Sequence, residues 1–295
     1  MADRPARKAP QTHLARVVRT ERLTPHMQRI VLGGEGLAHF SADDFTDHYV
    51  KVLFPPKGVT YPEPFDIAAI RAELPRDQWP VTRTYTVRRW DAEAREITVD
   101  FVVHGDSGLA GPWASAAVPG DEIRLLGPGG AYAPGDQADW HLLAGDESAL
   151  PAIAAALEAL PADAEVRAFV EISGPEEEQE IDGPQGKNVV WLHRGDAPVG
   201  SLVTEAVRSL EFPEGEVLAF VHGEAGFVKE LRRHLRMERG IAREQLSISG
   251  YWRLGHDEDG WQASKRDWNA QVEAEQEQAG AATAAGPRLP GYGPP

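Results

Sequence analysis

The chain contains no cysteine. That absence excludes disulfides, thiolate nucleophiles, iron–sulfur clusters and cysteine-ligated zinc in one step. No apolar run approaches the roughly 18 residues that a membrane-spanning helix needs, so no membrane partner is expected. Positive charge is also scarce: 30 Lys and Arg stand against 46 Asp and Glu, a formal charge of −16. Such a surface repels a phosphate backbone and disfavours nucleic acid as a partner. An anionic small ligand would need a local basic pocket. The ten histidines include no pair four apart, the spacing of a helical ligand pair, so no protein metal site is expected. The opening MADRPARKAPQT is basic but has no apolar segment behind it, unlike a secretory signal, and a cytoplasmic monomer is expected.

What is present is a globular composition, 42% hydrophobic and 26% charged over 295 residues, enough for two domains and their ends. Between His13 and Leu126, the runs HLARVVRTERL, MQRIVLGG, HYVKVLFP, TRTYTVRRW, REITVDFVVHG and DEIRLLGP are short, rich in β-branched and aromatic residues, and separated by Gly, Pro and Asp. They predict an antiparallel six-stranded β-barrel. Residues 55–80 carry six prolines and interrupt it, an excursion with one short helix around Asp66 to Glu73. After about Gly130 strand-like WHLLAGD, EVRAFVEI, NVVWL, EVLAFVHG and LSISGYWRLG alternate with helix-like SALPAIAAALEAL, GSLVTEAVRSL and GEAGFVKELRRHLRMERG, the last stopped by Gly240. That alternation predicts a parallel-sheet α/β domain. The expected division is a flexible tail 1–12, a barrel domain 13–130, an α/β domain 131–258, a terminal helix 259–278 resting Trp261, Trp268 and Val272 on the body, and a disordered tail 279–295.

Two stretches suggest chemistry. In VTRTYTVRRW, alternation puts Arg83 and Tyr85 on one face of a strand and Thr84 and Thr86 on the other. An aromatic ring can stack on a flat heterocycle while a guanidinium beside it binds a phosphate, although the pattern is equally that of an ordinary charged strand. In DFVVHGDSGLAGPWA, glycines at 105, 108 and 111 permit close backbone approach, and Ser107 can open a short helix whose N–H groups suit a pyrophosphate. Alone, this too is a Gly-rich turn.

Together, RTYT (83–86), DFVVHGDSGLAGPWA (100–114), GDEIRLLGP (120–128), LLAGDESALPAI (142–153) and SGYWRLG (249–255) resemble the siderophore-interacting proteins, FAD-dependent ferric-siderophore reductases of the ferredoxin-reductase-like group. The resemblance spans about His13 to Gly255. It implies an FAD site with Arg83 at the pyrophosphate, Tyr85 against the flavin and Thr86 near its reactive edge, with Thr84, Asp100, Val102, His104, Gly105, Gly108, Leu109, Ala110 and Trp113 completing the site. Gly145, Asp146, Glu147 and Ser148 fall in the first strand–turn–helix of a nicotinamide-nucleotide domain that lacks Gly-x-Gly-x-x-Gly; Ser148 can cap its helix and Pro151 falls in the first turn. Substrate binding by analogy falls to Lys51 and Arg253. The third basic position expected after GP is Gly129, leaving Arg88, Arg89 or His256 as substitutes.

The implied reaction passes electrons from NADH or NADPH through FAD to the ferric ion of a siderophore. Hydride carries two electrons and ferric iron accepts one, and a flavin can take two and give one at a time. Ferrous ion is held less tightly by hard siderophore oxygens, so reduction releases it. Glu171, ending the second strand of the α/β domain, and GPEEE after it would repel a 2′-phosphate and favour NADH, whereas Arg194 counters that charge. Ferredoxin is an alternative donor in the family. A reductase component serving a partner protein and a non-catalytic ferric-siderophore binder are the alternative functions.

Overall fold

The computed structural model describes residues 11–42, 45–105, 108–135 and 137–284. Its amino-terminal unit is an antiparallel sheet of β1 (Gln11–Thr24), β2 (Met27–Gly33), β3 (Tyr49–Phe54), β4 (Val81–Thr86), β5 (Arg89–Asp91), β6 (Glu96–Val102) and β7 (Glu122–Gly129), ordered β4-β3-β7-β1-β2-β6-β5. Alternate residues such as Val50, Val52, Ile97, Val99 and Phe101 enter one core. The expected six strands become seven because VTRTYTVRRW divides. Val87 N–H donates to the His48 carbonyl at 2.6 Å, and the next amide, Arg88, donates to the Thr98 carbonyl at 2.9 Å. Consecutive residues therefore bond to opposite sides of the sheet. Among the described residues β4 and β5 form its two edges, joined by this segment and by no ladder. In the proline-rich excursion, α1 (Ile67–Glu73) starts where expected: Asp66 accepts from the amides of Ala68 and Ala69 at 2.8 and 3.2 Å. A short helix α2 (Ala110–Ala116) follows β6.

The second unit is a parallel sheet of β8 (Trp140–Asp146), β9 (Glu165–Ile172), β10 (Val189–His193), β11 (Val217–Glu224) and β12 (Leu246–Trp252), ordered β10-β9-β8-β11-β12. Helix α3 (Leu150–Ala159) packs on one face, and α4 (Ser201–Ser209) and α5 (Ala225–Arg233) pack on the other. Every residue of β8 is buried, as a central strand covered on both faces requires. Chain direction across the sheet reverses between β8 and β11, and the carboxyl ends of those strands border the crevice where such sheets bind ligands. The expected stop of α5 is reached through a wider turn at His234–Glu238 and then Gly240, at φ 73°.

A terminal helix α6 (Glu258–Ala284) runs six residues past its expected end at 278. Residues 258, 261, 265, 268 and 272 share one face, and of these Trp261 and Val272 are buried at 0% and 1% exposure. Trp261 packs edge-on to Trp268 at 5.3 Å and donates its indole N–H to the Tyr251 carbonyl at 3.1 Å. Among the described residues no helix is long and apolar enough to cross a membrane. Trp261→Ala is expected to cost about 3 kcal/mol, most of it in α6 docking; chemical denaturation together with faster amide exchange along α6 measures it.

Three strand ends meet at Asp146, which has no exposed surface. One carboxylate oxygen accepts from the Ser148 amide at 3.0 Å and hydroxyl at 2.5 Å; the other accepts from the Glu224 amide and the Trp252 indole, each at 2.8 Å. Burial pushes this carboxyl up to about 6, with the Glu147 charge adding, while the bonds from Ser148, Trp252 and Glu224 oppose the rise. An acid whose folded value lies above its unfolded one keeps its proton longer in the native state, so folding loses stability as pH rises through the interval between them. Stability is therefore expected to fall by on the order of 3 kcal/mol between about pH 4 and pH 6 from this group alone. The difference in unfolding free energy between wild type and Asp146→Asn across that interval reads the effect; a flat difference contradicts it.

Candidate functional site

Strand β4 places Arg83 opposite Val52, Thr84 opposite Lys51, Tyr85 opposite Val50 and Thr86 opposite Tyr49. The Tyr85 ring lies 4.2 Å from Phe101, which is 5.5 Å from Trp113 of α2. This aromatic series links the RTYT strand through β6 to α2, the helix that follows the Gly-rich turn. Burial raises the Tyr85 phenol far above its usual range. Burial raises the Tyr251 phenol at the end of β12 far above its usual range, and the side chain of buried Thr86 acts against that rise, so the two units approach each other there.

Arg83 is buried and already engaged. Its guanidinium grips Asp259 at 2.8 and 3.1 Å and meets Glu258 at 3.3 Å, while Glu258 also accepts the Thr84 amide at 3.2 Å. The start of α6 therefore lies along β4. Burial lowers the arginine's value, but its hydrogen bond to Asp259 and the charges of Glu258 and Asp259 outweigh that and raise it overall.

In the turn after β6, His104, Gly105, Gly108 and Leu109 are exposed and Ala110 is buried. Gly105 and Gly108 have φ of 65° and 83°, a backbone region that side chains other than glycine adopt at a cost. Among the described residues no side chain caps the start of α2. Ser107, expected to open this helix, lies outside the described residues. Val102 ends β6 directly before the turn, with its carbonyl facing Gly111 of α2, and Asp100 lies two residues earlier in the strand. Asp100 faces Arg29 across the ladder and binds it through both oxygens at 2.7 and 2.8 Å, so its carboxylate is fully committed.

At the carboxyl edge of the parallel sheet, Gly145 is buried; a Cβ there would meet Ala149 and the His222 carbonyl at 2.6 Å each. Asp146 lies beneath the surface. Ser148 does not cap α3 as expected: Ala149 occupies that position, and the serine hydroxyl serves Asp146 instead. Pro151 falls in the first turn, as expected. Glu147 is partly exposed and pairs with Arg194 at 2.9 Å. Glu171 is fully buried and accepts the amides of Gly200, Leu202 and Val203 at 2.7, 3.0 and 3.2 Å, holding the start of α4. Of the three glutamates in GPEEE, Glu177 turns away to the first unit, taking the Thr24 hydroxyl at 2.5 Å and His26 at 2.6 Å.

Lys51 is exposed on β3, and Arg253 is half-buried just beyond β12. The structure supplies another cation near Lys51 that sequence reasoning missed: Lys265, on the inward stripe of α6 two turns beyond Glu258. Burial pulls this ammonium below its ordinary value; Glu258 opposes the shift and Lys51 adds to it. A lysine in register with Trp261 and Trp268 was the available signal. Gly129 has a steric reason, since a Cβ there would lie 2.4 Å from the Tyr49 ring. Arg88 binds Glu158 of α3 across the seam between the units. Arg89 is exposed on β5, and on that side Arg19, Arg29, Arg88 and Arg89 line a cavity of about 310 Å³ with Glu21, Asp91 and Glu158. His256 is exposed in the turn before α6.

Two family models match in tandem, "Siderophore-interacting FAD-binding domain" over residues 16–132 and "Siderophore-interacting protein" over 138–255. An uncharacterized protein of Mycobacterium tuberculosis is 48% identical, covering 86% of this chain and 95% of its own. A ferric vibriobactin reductase of Vibrio cholerae is 35% identical over 83% of this chain and 90% of that protein. An NADPH-dependent ferric-chelate reductase of Escherichia coli is 30% identical over 80% and 91%. The crystal structure of a siderophore utilization protein from T. fusca superposes with a TM-score of 0.73 at 41% identity, covering 85% of this chain and 95% of that one. With this domain pair and these relatives, the chain belongs to the siderophore-interacting protein family.

Proposed function

We propose that the protein is an FAD-dependent ferric-siderophore reductase, with the amino-terminal sheet holding FAD, the parallel sheet receiving a nicotinamide donor and the ferric chelate lying beside Lys51, Lys265 and Arg253. The observation that carries this reading is the junction at Thr86 and Tyr251, where the strand assigned to the flavin meets the carboxyl edge of the parallel sheet, with Lys51 one strand away. The reductases of Vibrio cholerae and Escherichia coli support it through their ferric-chelate substrates.

The residues fit a flavin. The start of α2, which no side chain caps among the described residues, and the positive-φ glycines before it offer backbone N–H groups to a pyrophosphate, and Tyr85 presents a half-buried ring. Arg83 supplies a charge-assisted fork once Asp259 and Glu258 yield it, so flavin binding exchanges one anionic partner for another. When bound, FAD supplies the conversion of one two-electron donor into two single-electron reductions, balancing one hydride against two ferric ions. The remaining tasks belong to the chain. Thr86 and Tyr251 bring the two cofactor sites together. Lys51 and Lys265 attract an anionic chelate to a protein whose overall charge repels it.

In the direct test, flavin-loaded protein is mixed with NADH or NADPH, a ferric siderophore and a ferrous-specific trap. A flavin-dependent ferrous signal is expected, and its absence with every donor and chelate would sink the reading. Arg83→Ala is expected to weaken FAD binding at least tenfold by fluorescence titration, the loss of a charge-assisted bond pair. Lys51→Ala and Lys265→Ala should each raise KM for an anionic ferric chelate roughly fivefold, about 1 kcal/mol, with little change in FAD affinity.

A further inference from the structure

The carboxyl ends of β8, β9 and β10 lie side by side, with Glu171 opposite Asp146 on one flank and Leu192 on the other. A dinucleotide bound at such an edge places its adenosine ribose near the end of the second strand, where an acid takes the 2′-hydroxyl in NAD-type sites and a free arginine takes the 2′-phosphate in NADP-type sites. Here the acid of the second strand is Glu171, and it cannot meet a ribose: it has no exposed surface and holds three amides of α4. The arginine at this edge is Arg194, after β10. It reaches back over β9, with Nη2 on Glu147 at 2.9 Å and Nη1 shared between Glu171 at 3.3 Å and Glu147 at 3.4 Å. Its side chain is 15% exposed, and Glu147, in the turn after β8, is 19% exposed.

One guanidinium is thus spent on two carboxylates. The loop after β9 adds exposed Glu176 and Glu178, the latter paired with His193 at 2.7 Å. A 2′-phosphate entering here would have to prise Arg194 from a carboxylate and then sit among the remaining anions. A free 2′-hydroxyl carries no such penalty and can donate to Glu147. We infer that the donor is the unphosphorylated dinucleotide, NADH, and that Glu147 sets this preference by keeping Arg194 engaged. The inference rests on the nicotinamide reading above but assigns the choice of donor to a different residue from the second-strand acid.

The test uses flavin-loaded protein and two fragments that carry no hydride, ADP and 2′,5′-ADP, with affinities measured by calorimetry. Wild type is expected to bind ADP at least tenfold more tightly than 2′,5′-ADP. Glu147→Gln leaves Arg194 with Glu171 as its one charged partner and is expected to narrow that ratio at least fivefold; Arg194→Gln leaves the carboxylates uncompensated and is expected to widen it. The opposite directions separate this role from general damage, and thermal melts confirm folding. If one variant does not fold, the other decides. Equal or tighter binding of 2′,5′-ADP by wild type, or an unchanged ratio in a folded variant, overturns the inference while leaving a nucleotide site in place. Failure of both fragments to bind removes the nicotinamide reading and this inference with it.

Discussion

A carboxylate cut off from water must find its solvation in the protein, and Asp146 does so with four donors drawn from its own turn, from β11 and from β12. Each bond fixes a strand end at the point where the parallel sheet reverses direction. Trp252 is held by the indole bond, which sets the position of Tyr251 beside it and so the contact with Thr86. From the same strand end the chain turns into α6, whose Trp261 returns to the Tyr251 carbonyl. The junction of the two units therefore inherits its geometry from one buried group.

Charge is distributed with similar economy. In a chain with 46 acids to 30 bases, the arginines around the candidate site meet carboxylates close by. Arg29, Arg83, Arg88 and Arg194 are each tied to a carboxylate from another element, and the pairs of Arg83 and Arg88 cross between elements far apart in the chain. Such pairs add modestly to stability when exposed but specify arrangement when buried. Their consequence for ligands is competitive: an anion arriving at one of these arginines must displace a carboxylate already in place.

Much of this was legible in the sequence. Alternation located the strands of both sheets, and the proline cluster marked the excursion with its short helix. What escaped depended on partners distant in the chain. VTRTYTVRRW carries no internal sign that its amides change partner between Val87 and Arg88. Glu171 stands where a ribose-binding acid would, yet the α4 amides it holds lie about thirty residues on. Ser148 suits a cap in isolation, and only the buried Asp146 redirects it. Arg88 read as a ligand candidate because nothing in the local pattern shows Glu158 waiting across the seam. The cores, built on periodicity, were the readable part; the polar site, built on long-range pairing, was not.

The absence of a side chain at Gly129 matters beyond packing. The ring of exposed Tyr49 fills the space that a side chain there would use, so a basic group on this strand would have to push that ring aside. The nearby cation comes instead from α6, through Lys265. A charge built into a sheet is permanent, whereas one carried by a docked helix is reversible: lifting α6 would withdraw Lys265 and release Arg83 in the same movement.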